Sequence, residues 1–196
     1  VSMSETKSVS LIGEDTDLLV LTLYYSYSLF KDKQHKSLYL YSEKEANRYV
    51  YNVHELAHKL KDTCLDLSFL HAVTGSDTTS RLHGIGKERA LKLLRDPKNR
   101  LSKLAATFRK PHMSATTIQE TGAKVICCLF GDTGDNMDRL RCDKLRKKVQ
   151  SAKTFVEPAT LPPTSSAAKY HSLRVYLQTM IWTGLDWGMA PTDWGW

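Results

Sequence analysis

The order of apolar and polar positions along this 196-residue chain predicts a few short strands near its start and a succession of helices after them. Val9 to Ile12 reads as a strand, Asp17 to Leu29 as a helix and Lys31 to Lys36 as a charged turn. Leu38 to Tyr41 and Arg48 to Val53 are rich in β-branched and aromatic residues and read as two strands paired in a hairpin. His54 to Leu60 and Cys64 to Val73 have helical spacing, and the polar stretch Gly75 to Ser80 reads as a loop. Further helices are predicted over Gly86 to Arg95, where Pro97 stops the run, over Leu101 to Phe108, and from Ser114 to Leu129. A basic helix follows over Asp138 to Ser151, then a linker marked by Pro158, Pro162 and Pro163. Ser165 to Trp182 is the last helix, with Leu173, Tyr176, Leu177 and Ile181 on one face, and there is no internal repeat.

Charge adds an asymmetry to this picture. The net charge is +7, but residues 1–97 carry 13 Lys and Arg against 13 Asp and Glu, residues 98–153 carry 13 against 5, and residues 154–196 carry 2 against 3. The excess is therefore concentrated in the middle, around Arg139 to Lys148, where a basic helix could follow phosphates, act as a nuclear import signal, or simply be a solvated face. Cys64, Cys127, Cys128 and Cys142 have no C-x-x-C spacing and read as buried, reduced thiols. No run of about 20 apolar residues is present, so a soluble intracellular protein without membrane partners is expected, in the nucleus rather than the cytoplasm. The length suits one core with a small appendage.

Candidate chemistry is concentrated in two places. The first is Gly75 to Leu94, GSDTTSRLHGIGKERALKLL, in which a helix beginning after Gly84-Ile85-Gly86 leaves amide N–H groups free for a phosphate. Ile85 sits between glycines that let the backbone approach closely, and Lys87, Arg89 and Lys92 lie along the first turns. The third glycine of a dinucleotide fingerprint is absent. The second place is Gly13-Glu14-Asp15-Thr16-Asp17, between a strand and a helix, where Asp15 and Asp17 are close enough to hold one hard cation. Asp77 adds a third oxygen ligand if the fold brings the loops together, the arrangement that metal-dependent phosphodiester hydrolysis needs. The same aspartates could instead cap turns and helices.

EDTD at Glu14 to Asp17 and GSDTTSRLHGIGKERALKLL together resemble the second half of a flap-endonuclease (XPG-type) domain, in the PIN-like superfamily of 5′ nucleases. The resemblance covers roughly the first half of the chain. It implies a partial PIN-like α/β domain with a short parallel sheet over 1–97, including a helix-two-turn-helix over about 70–95, then a basic helical region over 98–153. Residues 154–196 would hold the linker, a helix and a Trp-rich tail. It also implies Asp15, Asp17 and Asp77 as catalytic ligands of two Mg²⁺ or Mn²⁺ ions, and Gly84, Ile85, Gly86, Lys87, Arg89 and Lys92 as the grip on a nucleic-acid backbone, DNA in preference to RNA. A K⁺ ion would fall on the carbonyls of Arg81, Leu82 and Ile85, although Arg81 replaces the usual serine. The family begins with further strands and carboxylates, whereas EDTD here starts about a dozen residues from Val1. A truncated copy with weak or absent cleavage on its own is the resulting expectation. The whole chain is also similar to animal proteins often found among mobile-element sequences, which share EDTD, the segment His71 to Ser80 and a tail like LPPTSSAAKYHSLRVYLQ ending in DWGW. For such a protein the alternative is a catalytically silent nucleic-acid-binding or assembly module.

Three other motifs compete less well. His54-Glu55-Leu56-Ala57-His58 matches H-E-x-x-H, a zinc pattern on a helix, but no third ligand follows and an amphipathic helix with exposed histidines is favoured. Asp132-Thr133-Gly134 lies between helices rather than in the β-rich setting of an aspartic protease. Ser80 with His83 or His71 lacks a nucleophile elbow and reads as turn chemistry. Trp182, Trp187, Trp194 and Trp196 either pack on the core, stack on bases or anchor a partner.

Overall fold

The structure, a computed structural model, describes residues 8–30, 37–44, 47–151 and 155–186, together with 188, 190 and 192. These residues form an α/β protein with a three-stranded sheet and eight α-helices, divided into two compact units, Val1–Ser68 and Phe69–Trp196. The sequence segments 98–153 and 154–196 both fall inside the second unit.

The first unit contains β1 (Ser8–Ile12), α1 (Thr16–Phe30), β2 (Ser37–Lys44), β3 (Asn47–Asn52), α2 (Val53–Leu60) and the start of α3 (Thr63–Thr74). The strand order is β1-β2-β3, with β1 parallel to β2 and β2 antiparallel to β3. The sheet is thus mixed, not the parallel one expected. The connection lengths require this: α1 supplies the long crossover that a parallel pair needs, while β2 and β3 are too close in sequence for anything but a hairpin. The charged turn expected over Lys31 to Lys36 lies outside the described residues. β3 ends one residue before the expected Val53, because the Asn52 side chain accepts the Glu55 N–H at 3.1 Å and so starts α2. Val20, Leu23, Leu40, Val53, Ala57 and Cys64 are buried at the centre of this unit.

The second unit holds the rest of α3, then α4 (Lys87–Arg95), α5 (Leu101–Phe108), α6 (Ala115–Leu129), α7 (Met137–Ser151) and α8 (Ser165–Thr183). Helix α8 is buried on nearly every side, which the single apolar face read from its sequence misses. Ile181 of that face is 49 % exposed, while Ser172, Gln178 and Thr179 are buried. The buried hydroxyls do not stay unpaired: those of Ser172, Thr179 and Thr183 donate to the carbonyls four residues earlier, at 2.6, 2.7 and 2.8 Å. These three hydroxyls therefore enter the core with their donors satisfied. The helix starts at Thr164, whose hydroxyl accepts the Ala167 N–H, and ends at Gly184, which takes a left-handed φ of 68°.

The segment expected as a linker carries one short element. Pro158–Thr160 make one 3-10 turn, and Leu161 and Pro162 are buried. Trp182 lies on α8 and stacks on His71 with ring centroids 5.5 Å apart. Trp187, Trp194 and Trp196 fall outside the described residues. Cys64, Cys127 and Cys128 are buried free thiols, but Cys142 is exposed. Burial pushes the Cys64 and Cys127 thiols up to about 11, so both stay protonated and unreactive near neutrality. Among the described residues no helix is long and apolar enough to cross a membrane.

Helices α6 and α8 touch at Gly122, where a Cβ would lie 1.8 Å from the Ser172 Oγ and 2.3 Å from its Cβ. Gly122→Ala should destabilise the protein by about 2 kcal/mol through overpacking, measured by urea denaturation. Adding Ser172→Gly should recover part of that loss, because the colliding atoms are then gone; simple additivity of the two changes would show that the contact is not what makes Gly122 necessary.

Candidate nucleic-acid interface

The loop Gly75 to Leu82 is fixed by its own side chains. Thr79 is buried and its hydroxyl donates to the Ala72 carbonyl at 2.7 Å, while accepting the Ser76 N–H at 3.0 Å. Main-chain bonds between Ser76 and Thr79 in both directions, at 3.2 and 3.3 Å, close the turn. The Thr78 hydroxyl donates to Oε1 of buried Gln178 at 2.5 Å, which ties the loop to α8. Gly75 has a φ of 110°, and a Cβ there would lie 2.8 Å from the Arg81 Cα. The Gly-Ser-Asp-Thr-Thr-Ser segment is therefore a self-fastened turn on the end of α3. Asp77 sits exposed within it and has no hydrogen bond or ion pair among the described residues.

The next turn aims α4. The Ile85 N–H donates to the Leu82 carbonyl at 3.1 Å, Ile85 is buried, and Gly84 takes a φ of 73°. Positive φ at the third residue of a four-residue turn is the geometry that favours glycine. Gly86 then caps α4 and, being a glycine, offers the first-turn N–H groups no side-chain acceptor of its own. A Cβ on Gly84 or on Gly86 would meet no atom within 4 Å, so the surface in front of this backbone is open. The Lys87 ammonium donates to the Gly75 carbonyl at 2.9 Å, joining the two turns. Arg89 is exposed, whereas Lys92 pairs with Glu88 at 2.7 Å and holds the Glu88 carboxyl below its usual range. The Leu82 carbonyl proposed for K⁺ is already the acceptor for Ile85.

The acidic pair has a local structural role. One Asp15 carboxylate oxygen accepts the Asp17 N–H at 3.0 Å and the Asp15 carbonyl accepts the Leu19 N–H at 3.4 Å, so Asp15 is the N-cap of α1. Asp17 lies in the first turn, where a negative charge complements the helix dipole. Asp15 and Asp17 belong to the first unit and Asp77 to the second. Within neither unit, among the described residues, do three His, Cys, Asp or Glu side chains gather to hold a metal.

The competing motifs resolve locally. Glu55 is bound by Lys59 at 2.5 Å, which lowers its carboxyl below the usual range. Asp132 accepts the Gly134 N–H at 3.0 Å in the turn between α6 and α7. His71 is buried against Trp182, while Ser80 and His83 are exposed. On α7, Leu140 is buried but Leu145 is exposed, so the basic helix is anchored mainly by its first half. Arg139 and Arg146 flank Asp143 at 3.9 and 3.5 Å.

Sequence reasoning missed the parts of the site that depend on distance along the chain: Lys87 on Gly75, Thr78 on Gln178, and the buried His171, whose Nε2 donates to the Val73 carbonyl at 3.1 Å. No local signal announces a hydrogen bond between residues 98 positions apart. Compared with known proteins, the chain matches no family model, no curated protein and no solved structure.

Two outcomes follow from these roles. Asp15→Ala should cost about 1 kcal/mol in urea denaturation and Asp15→Asn much less, because asparagine still accepts the N–H. Burial, with the Arg174 charge adding to it, holds His171 below its ordinary 6.5 despite the Val73 bond. The folded state therefore resists a proton that the unfolded state accepts, so stability should hold above pH 6.5 and fall as pH drops through that value. His171→Gln should flatten this part of the stability–pH curve; an unchanged slope would assign it to another group.

Proposed function

We propose that the chain binds the phosphate backbone of nucleic acid, DNA in preference to RNA, and is catalytically silent on its own. The observation that carries this reading is the uncapped start of α4 behind Gly84-Ile85-Gly86, with open space in front of both glycines. A helix start that its glycine N-cap does not cover, at the positive end of the helix, suits a phosphate oxygen, and exposed Arg89 adds charge at the same place. The basic helix α7 supplies a second, less specific electrostatic contribution.

The PIN-like ancestry belongs to the same proposal. Its support is the parallel β1–β2 pair joined by α1, with an acidic turn at the carboxyl end of β1, and the turn–helix that follows α3. The capping role of Asp15 favours silence over Mg²⁺ chemistry, because one oxygen of that carboxylate already serves the helix. The exposed Asp77 is the feature that keeps nuclease activity as a second reading.

Fluorescence anisotropy with labelled duplex DNA at low salt tests the proposal. Arg89→Glu should weaken binding about tenfold for every sequence and lower the salt slope by about one. Gly86→Val should weaken binding as well, by covering the amides, while a DNA affinity indifferent to both changes would remove α4 as the grip. Mg²⁺-dependent cutting of a 5′-flap substrate that disappears in Asp77→Ala would replace the silent reading with the enzymatic one.

A further inference from the structure

A second basic feature lies within the second unit, in a cavity of about 300 Å³ that neither the α4 turn nor α7 alone would predict. Three arginines, Arg81, Arg141 and Arg174, and two histidines, His83 and His171, are among the residues that line it. Among the described residues no Asp or Glu lines it. Its wall on α8 is made by Ala167, Tyr170, His171 and Arg174, the i, i+3, i+4, i+7 set that faces one way on a helix. Leu82, Leu161 and Pro163 supply apolar lining.

One of these arginines lacks an acceptor among the described residues. Arg174 Nε is buried with no hydrogen-bond partner among the described residues, a costly state for a charged donor unless something accepts from it. Arg141 donates one guanidinium N–H to the Pro162 carbonyl, which fixes the plane of the group and leaves further donors. Asp138, near the start of α8, is engaged by the Ser165 hydroxyl at 2.6 Å and is not part of the wall. Like charges converging without a carboxylate repel, and an anion with several oxygens converts that repulsion into charge-assisted bonds.

Size and shape narrow the ligand. A bare inorganic anion would leave most of a cavity of about 300 Å³ unfilled, and this volume is the lower end of small-molecule sites. Tyr170 is half exposed at the wall, an aromatic face able to stack on a planar ring. We propose that this cavity binds a nucleoside monophosphate, its phosphate between Arg81, Arg141 and Arg174 and its base against Tyr170. The same phosphate–sugar–base unit is offered by a free mononucleotide and by the phosphorylated end of a strand. Neither depends on the α4 backbone reading.

Calorimetry on the full chain tests this with AMP, adenosine, and a thymidine trinucleotide with and without a 5′-phosphate. AMP should bind at least about tenfold tighter than adenosine, and Arg81→Gln and Arg174→Gln should each cost about tenfold. Arg81 is exposed, so Arg81→Gln is expected to fold even if Arg174→Gln does not. Arg89→Glu should leave AMP binding unchanged, which separates this site from the α4 grip. AMP binding tighter than the 5′-phosphorylated trinucleotide assigns the free nucleotide, and the reverse order with the same arginine dependence assigns the strand end. Absence of AMP binding at millimolar concentration, equal affinity for AMP and adenosine, or binding indifferent to Arg81→Gln would overturn the proposal.

Discussion

The second unit depends on the close approach of α6 and α8 at Gly122, where only a hydrogen fits against the Ser172 side chain. That approach lets α8 run through the core with residues buried on most of its circumference. Each side of the buried helix then fastens a different segment. Tyr176 donates to the Lys110 carbonyl and accepts the Met113 N–H, holding the connection between α5 and α6. His171 donates to Val73 at the end of α3, and Gln178 accepts from Thr78 in the loop beyond. The candidate loop is positioned from α8, which follows it by almost one hundred residues in the chain.

This dependence explains what was legible in the sequence and what was not. Elements with a local cause were readable: Ser114 and Thr164 cap the helices they precede, Pro97 follows the end of α4, and aromatic β-rich runs form β2 and β3. Gly84 and Gly86 were readable for the same reason, since a turn needing positive φ and an uncapped helix start are local demands. The faces of α8 were not. Its buried Ser172, Thr179 and Thr183 look polar in a sequence, and only the i−4 carbonyls that accept their hydroxyls make them acceptable inside. The mixed sheet was half legible, because connection lengths decide parallel against antiparallel pairing but residue type does not.

The cavity at α8 was missed for a related reason. Arg81, Arg141 and Arg174 come from three separate segments, and each alone is indistinguishable from a solvated surface residue. The sum of charges gave a basic middle region, but the lining draws one arginine from each of the three charge segments. Net charge along a chain describes attraction at long range; a site needs charges that converge, and convergence is a property of the tertiary fold.

The two acidic motifs and the glycine turn differ in how much of their chemistry survives folding. A carboxylate is versatile, so the fold can use it for something local: Asp15 accepts a helix N–H and Asp17 sits at the positive end of the same helix. The residue type that suggests metal binding thus also has a local use in starting the helix. A glycine turn has fewer uses. Gly84 relieves a backbone of positive φ, but Gly86 has no such need, no side-chain cap to offer and no neighbour that a Cβ would touch. An ordinary capping residue at Gly86 would offer the first turn a side-chain acceptor that glycine does not. A position where a stabilising cap is sterically allowed and absent is not accounted for by the needs of the helix alone, and this is why the proposed backbone grip rests on Gly86 more than on the aspartates.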